Sequence, residues 1–163
     1  MIVYHGSTEI IKNPDVVHSK KYLDFGRGFY ITTFENQAKK WAVRKGMRQE
    51  KTAIVNIYEL SEAWDDFKVL CFEKENEKWL DFVCACRKGQ PLNKEYDIII
   101  GNVADDDVFK TVDMYFRGLW DKEKVLDELR YYKMNNQICI VNQETLNRLI
   151  TFKRAYEVED HGR

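Results

Sequence analysis

The chain is poor in the residues that break or bridge structure. It has 2 Pro and 8 Gly in 163 residues, which excludes collagen-like and linker-rich classes. Its four cysteines (Cys71, Cys84, Cys86, Cys139) contain no Cys-x-x-Cys pair, and His5, His18 and His161 stand far from them in sequence. That pattern makes a structural zinc site improbable and predicts no metal. No run approaches the ~18 consecutive apolar residues of a membrane span. The opening MIVYHGSTEI lacks the basic and apolar regions of a secretory signal. These absences predict a cytoplasmic protein with reduced cysteines and no membrane partner. A basic excess is missing too, with 26 Lys+Arg against 27 Asp+Glu. A general nucleic-acid binder normally shows such an excess.

The rest is ordinary for a globular chain, at 44% hydrophobic and 33% charged. Aromatics are plentiful at 13%, so rings fill a core or line a site. Charge is unevenly placed: residues 1–60 hold ten Lys/Arg and six Asp/Glu, and the remainder holds 16 and 21. The positive third either faces an anionic ligand or simply solvates a surface.

The pattern predicts one α+β domain over residues 1–158 and a frayed tail over 159–163. Strands are expected at 2–4, 28–32, 53–60, 67–72, 96–100, 137–141 and 152–158, with a loop over 8–24. Residues 53–60 alternate apolar and polar at the strand period. Helices are expected at 34–45, stopping at Gly46, then at 76–88, 106–120 and 122–134, and after Asn142 through Leu149. Thr32 and Glu35 have the spacing of a capping box.

Three segments carry candidate chemistry. Tyr4-His5-Gly6-Ser7 offers an imidazole that can donate to a ribose hydroxyl, a glycine open to a flat ligand, and a hydroxyl. By itself it reads more readily as a histidine satisfied at a strand end. Asp24-Phe25-Gly26-Arg27-Gly28-Phe29-Tyr30-Ile31-Thr32 enters a strand, and Trp41 follows on the next helix. Two rings so placed can sandwich a flat cationic ring, or can both be core. Gln137 opens a late apolar strand, either exposed at its end or aimed into a site.

Together, in order across nearly the whole chain, the three segments resemble the ADP-ribosyltransferase superfamily. The likeness is to the His–Tyr–Glu branch that includes poly(ADP-ribose) polymerases and diphtheria-type toxins. They also resemble a bacterial domain family of unknown function found in loci that look like toxin–antitoxin pairs. Its pattern is Tyr-His-Gly-Ser, Asp-Phe-Gly-x-Gly-Phe-Tyr, Gln-Ala-x-x-Trp-Ala, Tyr-Asp-x-x-x-Gly (here Tyr96, Asp97 and Gly101) and Asn-x-Gln.

The resemblance implies a split β-sandwich with flanking helices. It also implies an NAD-dependent mono-ADP-ribosyltransferase that breaks the nicotinamide–ribose bond, with NAD as co-substrate. The acceptor would be a protein or nucleic acid, and a cognate antitoxin is a conceivable partner. By the same resemblance, His5, Tyr30 and Gln137 form the catalytic set. His5, Gly6, Ser7, Arg27, Gly28, Tyr30, Thr32 and Trp41 bind NAD, with His5 on the adenosine ribose and Gly6 and Ser7 on the carboxamide. Arg27, Lys20 or Lys21 would meet the pyrophosphate, and Asp105, Asp106 and Asp107 would open a helix or form an acidic rim.

The family's catalytic Glu is replaced by Gln137. An amide accepts a hydrogen bond but is no general base, so polymer elongation is not expected. A non-catalytic binding module is therefore the alternative, and an NAD-dependent RNA 2′-phosphotransferase a third reading. Glu144 reaches the site only if the strand register differs.

Overall fold

The strand expected over 53–60 is the one on which half of the molecule is built, and it is buried on both faces, with Val55 and Ile57 in one core cluster and Tyr58 and Leu60 in another. The computed structural model describes residues 1–20, 22–104, 106–129 and 135–159, without the side chains of residues 106, 107 and 109. Strand β3 (Ile54–Leu60) lies between β1 (Ile2–Ser7) and β7 (Ile150–Glu157), antiparallel to both. A second sheet has the order β2 (Phe29–Ile31), β6 (Gln137–Ile140), β5 (Ile98–Gly101), β4 (Val69–Cys71). Only β4 and β5 run parallel. The helices are α1 (Glu35–Gln49), α2 (Glu77–Arg87), α3 (Asp106–Phe116), α4 (Lys122–Leu129) and α5 (Gln143–Leu149). The α+β class and the two sheets match the expectation. Among the described residues, no helix is long and apolar enough to cross a membrane.

The sheets face each other across a core that includes Val3, Tyr58 and Leu60 from the first and Phe29, Ile31, Ile98, Ile138 and Ile140 from the second. On the outer side of the first sheet, Ala38 and Ala42 of α1 pack on Val55 and Ile57. On the outer side of the second, Trp79, Leu80 and Val83 of α2 pack with Val108 and Val112 of α3, Val125 and Leu129 of α4, and Ile99 and Cys139. One buried Leu or Val side chain in such layers stabilises the fold by about 1.5–3 kcal/mol.

Several element ends differ from the sequence reading. Helix α1 passes through Gly46 and ends at Glu50, which takes the left-handed conformation itself (φ 54°). Gly46 is there for space: a Cβ would lie 2.7 Å from the Lys51 carbonyl oxygen. The capping box does not form. Phe34 is the N-cap residue without a side-chain bond; Thr32 Oγ1 accepts from Phe34 N (3.1 Å), and Glu35 accepts from the Tyr156 hydroxyl (2.6 Å). Strand β1 continues through Ser7, so His5 and Gly6 lie within it. Helix α3 stops at Phe116, before Gly118 (φ +76°). The last part of the helix expected over 122–134, and residues 160–163 of the expected tail, lie outside the described residues, as do Lys21 and Asp105.

Asn142 behaves as the sequence suggests. Its Oδ1 accepts from Thr145 N (2.9 Å) to cap α5, and its Nδ2 donates to Asp97 Oδ1 (2.7 Å). Asp97 Oδ2 accepts from Lys68 N at the approach to β4 (2.8 Å). Asn142→Ala removes the cap and strands one half-buried acceptor. The expected loss is about 1–3 kcal/mol, seen as a lower denaturant midpoint with an unchanged slope.

Candidate active site at a fork between the sheets

Among the described residues one backbone bridge joins the two sheets. Tyr4 N donates to Thr32 O (2.8 Å) and Thr32 N donates to Tyr4 O (3.0 Å). In a continuing antiparallel ladder the next hydrogen-bonded pair would be Gly6 with Tyr30. That pair does not form. Instead the His5 side chain enters the gap, and its Nδ1 donates to the Tyr30 carbonyl oxygen at 2.6 Å. The imidazole takes the acceptor that the Gly6 amide would use, and the strands diverge from that point.

This places Gly6 in an unusual position. Both polar groups of Tyr4 point to β2, so by the antiparallel alternation those of Gly6 point the same way, away from β3. Gly6 N–H and C=O are therefore left without ladder partners at the fork. The absence of a side chain is required: a Cβ on Gly6 would collide with the Ala38 carbonyl, lie 2.7 Å from Ala42 N and 3.0 Å from Trp41 Cβ. Beside Gly6 opens a cleft of about 700 Å³ lined by Gly6, Trp41, Arg44, Lys45, Met47 and Arg48.

Side-chain alternation sorts the expected residues. Tyr4 and Gly6 face α1. Across the Tyr4–Thr32 bridge, Thr32 and Tyr30 continue that side, followed on β6 by Gln137 and Cys139. Trp41 reaches it from α1. Val3, His5 and Phe29 share the opposite side, where the His5 and Phe29 rings stack with centroids 4.5 Å apart. Ser7 lies on that opposite side too; it is buried, and its Oγ accepts from Glu9 N (3.4 Å).

The second segment is mostly bound up in its own turn. Tyr30 packs on the α2–α4 core, and its hydroxyl donates to Gly26 O (2.5 Å) and accepts from Phe25 N (3.0 Å). Burial raises that phenol well above its usual value. Tyr30 does not line the Trp41 cleft. Gly28 N donates to Ser19 Oγ (2.9 Å). Arg27 and Lys20 are exposed, and neither lines the cleft. Thr32 is fully buried and donates through Oγ1 to Asn136 Oδ1 (2.8 Å). Asn136 in turn accepts at its carbonyl from Gln37 Nε2 (2.6 Å), tying the start of α1 to the start of β6.

Gln137 is 3% exposed. Its Nε2 donates to Asp24 Oδ2 (3.0 Å) and Asn102 O (3.3 Å). That fixes the amide orientation and leaves Oε1 as the free acceptor among the described residues. Asp24 is a buried hub the sequence reading did not single out as a site residue. Its Oδ1 accepts from Arg87 Nε (2.9 Å) and Nη2 (2.5 Å), and its Oδ2 accepts from Ala104 N (2.9 Å). Asp24 was visible only as the first letter of its glycine-rich motif. Residues 87, 102 and 104 carry no local signal that they meet it. Glu144 sits in the first turn of α5.

His5 is electrostatically constrained. Burial, opposed by the Tyr30 bond and reinforced by the Lys45 charge, lowers it from 6.5 to about 4. The ring is neutral at pH 7, with its proton on Nδ1. Nε2 is then an acceptor, not the donor the sequence reading had in mind.

A family model described as "Protein of unknown function (DUF3990)" matches residues 1–152. The chain belongs to that family. No curated protein matches it. The fork residues Tyr4 to Ser7, Trp41, Asp24 and Gln137 all lie within the part of this DUF3990 chain that the model covers.

Two outcomes follow for this DUF3990 domain. Gln137→Glu sets a second carboxylate about 3 Å from Asp24 and the Asn102 carbonyl. It is expected to destabilise the fold by roughly 1–3 kcal/mol at pH 7, less so in acid, by denaturant titration. His5 should make stability depend on pH. Its folded value is depressed, so the unfolded chain binds the extra proton. Its contribution is complete above pH 6.5 and is lost as pH falls toward 4, by on the order of 3 kcal/mol. His5→Asn, whose Nδ2 can keep the Tyr30 bond, should remove that part of the pH profile.

Proposed function

We propose that the protein is an NAD-dependent mono-ADP-ribosyltransferase that cleaves the nicotinamide–ribose bond and passes ADP-ribose to a macromolecular acceptor. The observation that supports this best is Gly6 beside Trp41. A primary carboxamide carries one donor face and one acceptor face. The neighbouring C=O and N–H of a single extended residue match it, and the indole offers a plane for the pyridinium ring. Neutral His5 stands on the other side of β1, outside the residues that line the cleft, and its Nε2 is the acceptor it has left for a ribose hydroxyl beyond the fork.

In the reaction the C1′–N bond breaks and its electron pair returns to the pyridinium nitrogen, releasing neutral nicotinamide. The acceptor's nucleophile bonds to C1′ and loses a proton. Positive charge develops on the ribose as the bond breaks, and preorganised acceptors beside it lower the barrier. Gln137 is buried and lies outside the residues that line the cleft, and with Asp24 and Asn102 on its amide nitrogen, Oε1 is the acceptor it has left for such a role. Being neutral, it stabilises that charge less than a carboxylate, so turnover should be slow.

The same residue supports a second reading. An amide locked to a buried carboxylate also suits a module that binds a nucleotide without cleaving it. Nicotinamide release from NAD by the purified protein, measured alongside an NAD titration, separates the readings. Release is expected, reduced at least tenfold in Trp41→Ala and in His5→Asn. Binding without release supports the module. A protein that neither binds nor cleaves NAD is no transferase.

A further inference from the structure

The cleft at Gly6 has a polar half that the transferase reading leaves unassigned. From Trp41 onward, α1 presents Arg44, Lys45 and Arg48 to the same cavity, along with Met47. Arg48 is exposed and Lys45 half-buried. Among the described residues neither Lys45 nor Arg48 has a carboxylate partner. By contrast Lys122 is shared by Glu77 and Asp81, and Lys153 is paired with Glu59. Lys45 lies close enough for its charge to act on His5. Cations left uncompensated around a cavity are an anion site in search of an anion, and spacing of three and four residues puts Trp41, Lys45 and Arg48 on adjoining turns of one helix face.

We propose that Lys45 and Arg48, with Arg44 beside them, form a phosphate-binding subsite that takes the pyrophosphate of a dinucleotide whose aromatic end lies against Trp41 and Gly6. The identity of the aromatic end rests on the transferase reading; the phosphate subsite itself rests on the cleft and its cations. It replaces Arg27 and Lys20, which stand outside the cavity, as the groups that meet the diphosphate. Arg48, at the rim, has the planar fork suited to two phosphate oxygens, and Lys45, deeper, supplies a point charge. The cleft also gives the basic excess of residues 1–60 a ligand.

The test uses the full chain, titrated with ADP, inorganic pyrophosphate and uncharged nicotinamide at low and moderate salt. The double variant K45Q/R48Q is compared with K94Q, an exposed lysine in the turn after α2. Wild type and K94Q should bind ADP and pyrophosphate, more weakly as salt rises. K45Q/R48Q should lose at least tenfold in affinity for both, keep its nicotinamide affinity within about twofold, and melt within a few degrees of wild type. Unchanged ADP binding in the double variant, or no binding by wild type, overturns the subsite.

Nicotinamide release from NAD is measured in parallel. Release with an unaltered KM in K45Q/R48Q removes the subsite and leaves the transferase. Loss of ADP binding in that variant, with no release by wild type, keeps the subsite and removes the transferase. A single-stranded oligonucleotide that binds wild type more tightly than ADP and is lost in the double variant overturns the dinucleotide assignment in favour of a polynucleotide groove.

Discussion

One side-chain hydrogen bond sets the geometry of this molecule. By donating Nδ1 to the Tyr30 carbonyl, His5 stops the β1–β2 ladder after a single bridge. The imidazole occupies the carbonyl that the next bridge would use, so the strands part after Tyr4–Thr32. With that stop, the chain has two sheets, a shared core between them, and a fork whose floor is the backbone of Gly6. The bond also explains the state of the ring. A buried imidazole that spends its only N–H on a carbonyl cannot take a second proton cheaply, and the nearby Lys45 charge adds to the cost.

Around the fork, β6 and α1 are held by polar contacts as well as by their apolar faces. Thr32, Gln37 and Asn136 bind the beginning of α1 to the beginning of β6. Asp24 collects Arg87, Ala104 N and Gln137. Three segments that are distant in sequence converge on its carboxylate. The consequence for Gln137 is specific: its nitrogen is consumed by structure, and its oxygen accepts no hydrogen bond among the described residues. A Glu at the same position would have to face Asp24, so the amide here is a requirement of the surrounding network.

Much of this was legible in the sequence wherever a residue declares its role locally. Alternation over 53–60 pointed to β3, and Asn142 announced the start of α5 by its capping side chain, while the structure adds a like cap from Asn76 at the start of α2. The α+β class followed from the pattern of elements, and the division into two sheets was what the family resemblance implied. What misled was glycine and threonine. Gly46 was read as a stop because glycine often ends helices, whereas here it lets residue 51 pack close, and Glu50 carries the left-handed turn. Thr32 was read as half of a capping box, but its hydroxyl serves Asn136, 104 residues away. Arg27 and Lys20 looked suited to phosphate by charge and proximity in sequence, and the fold turns both away from the cleft. Asp24 and the cationic half of α1 were missed as site components because their partners come together only in three dimensions.

The order of strands has a consequence for how the protein comes into being. Strand β6 sits at the middle of its sheet, and β7 closes the other, yet both come from the last quarter of the described chain. Until β6 has left the ribosome, β2 and β5 have no neighbour to join them, and Gln137 and Asn136 are not there to position α1. Long-range pairing of this kind makes closure late and cooperative. The β1–β2 side of the fork lies within residues 1–48, whereas the Asp24 network and the central strand of the second sheet are completed only once residues 136–140 are present.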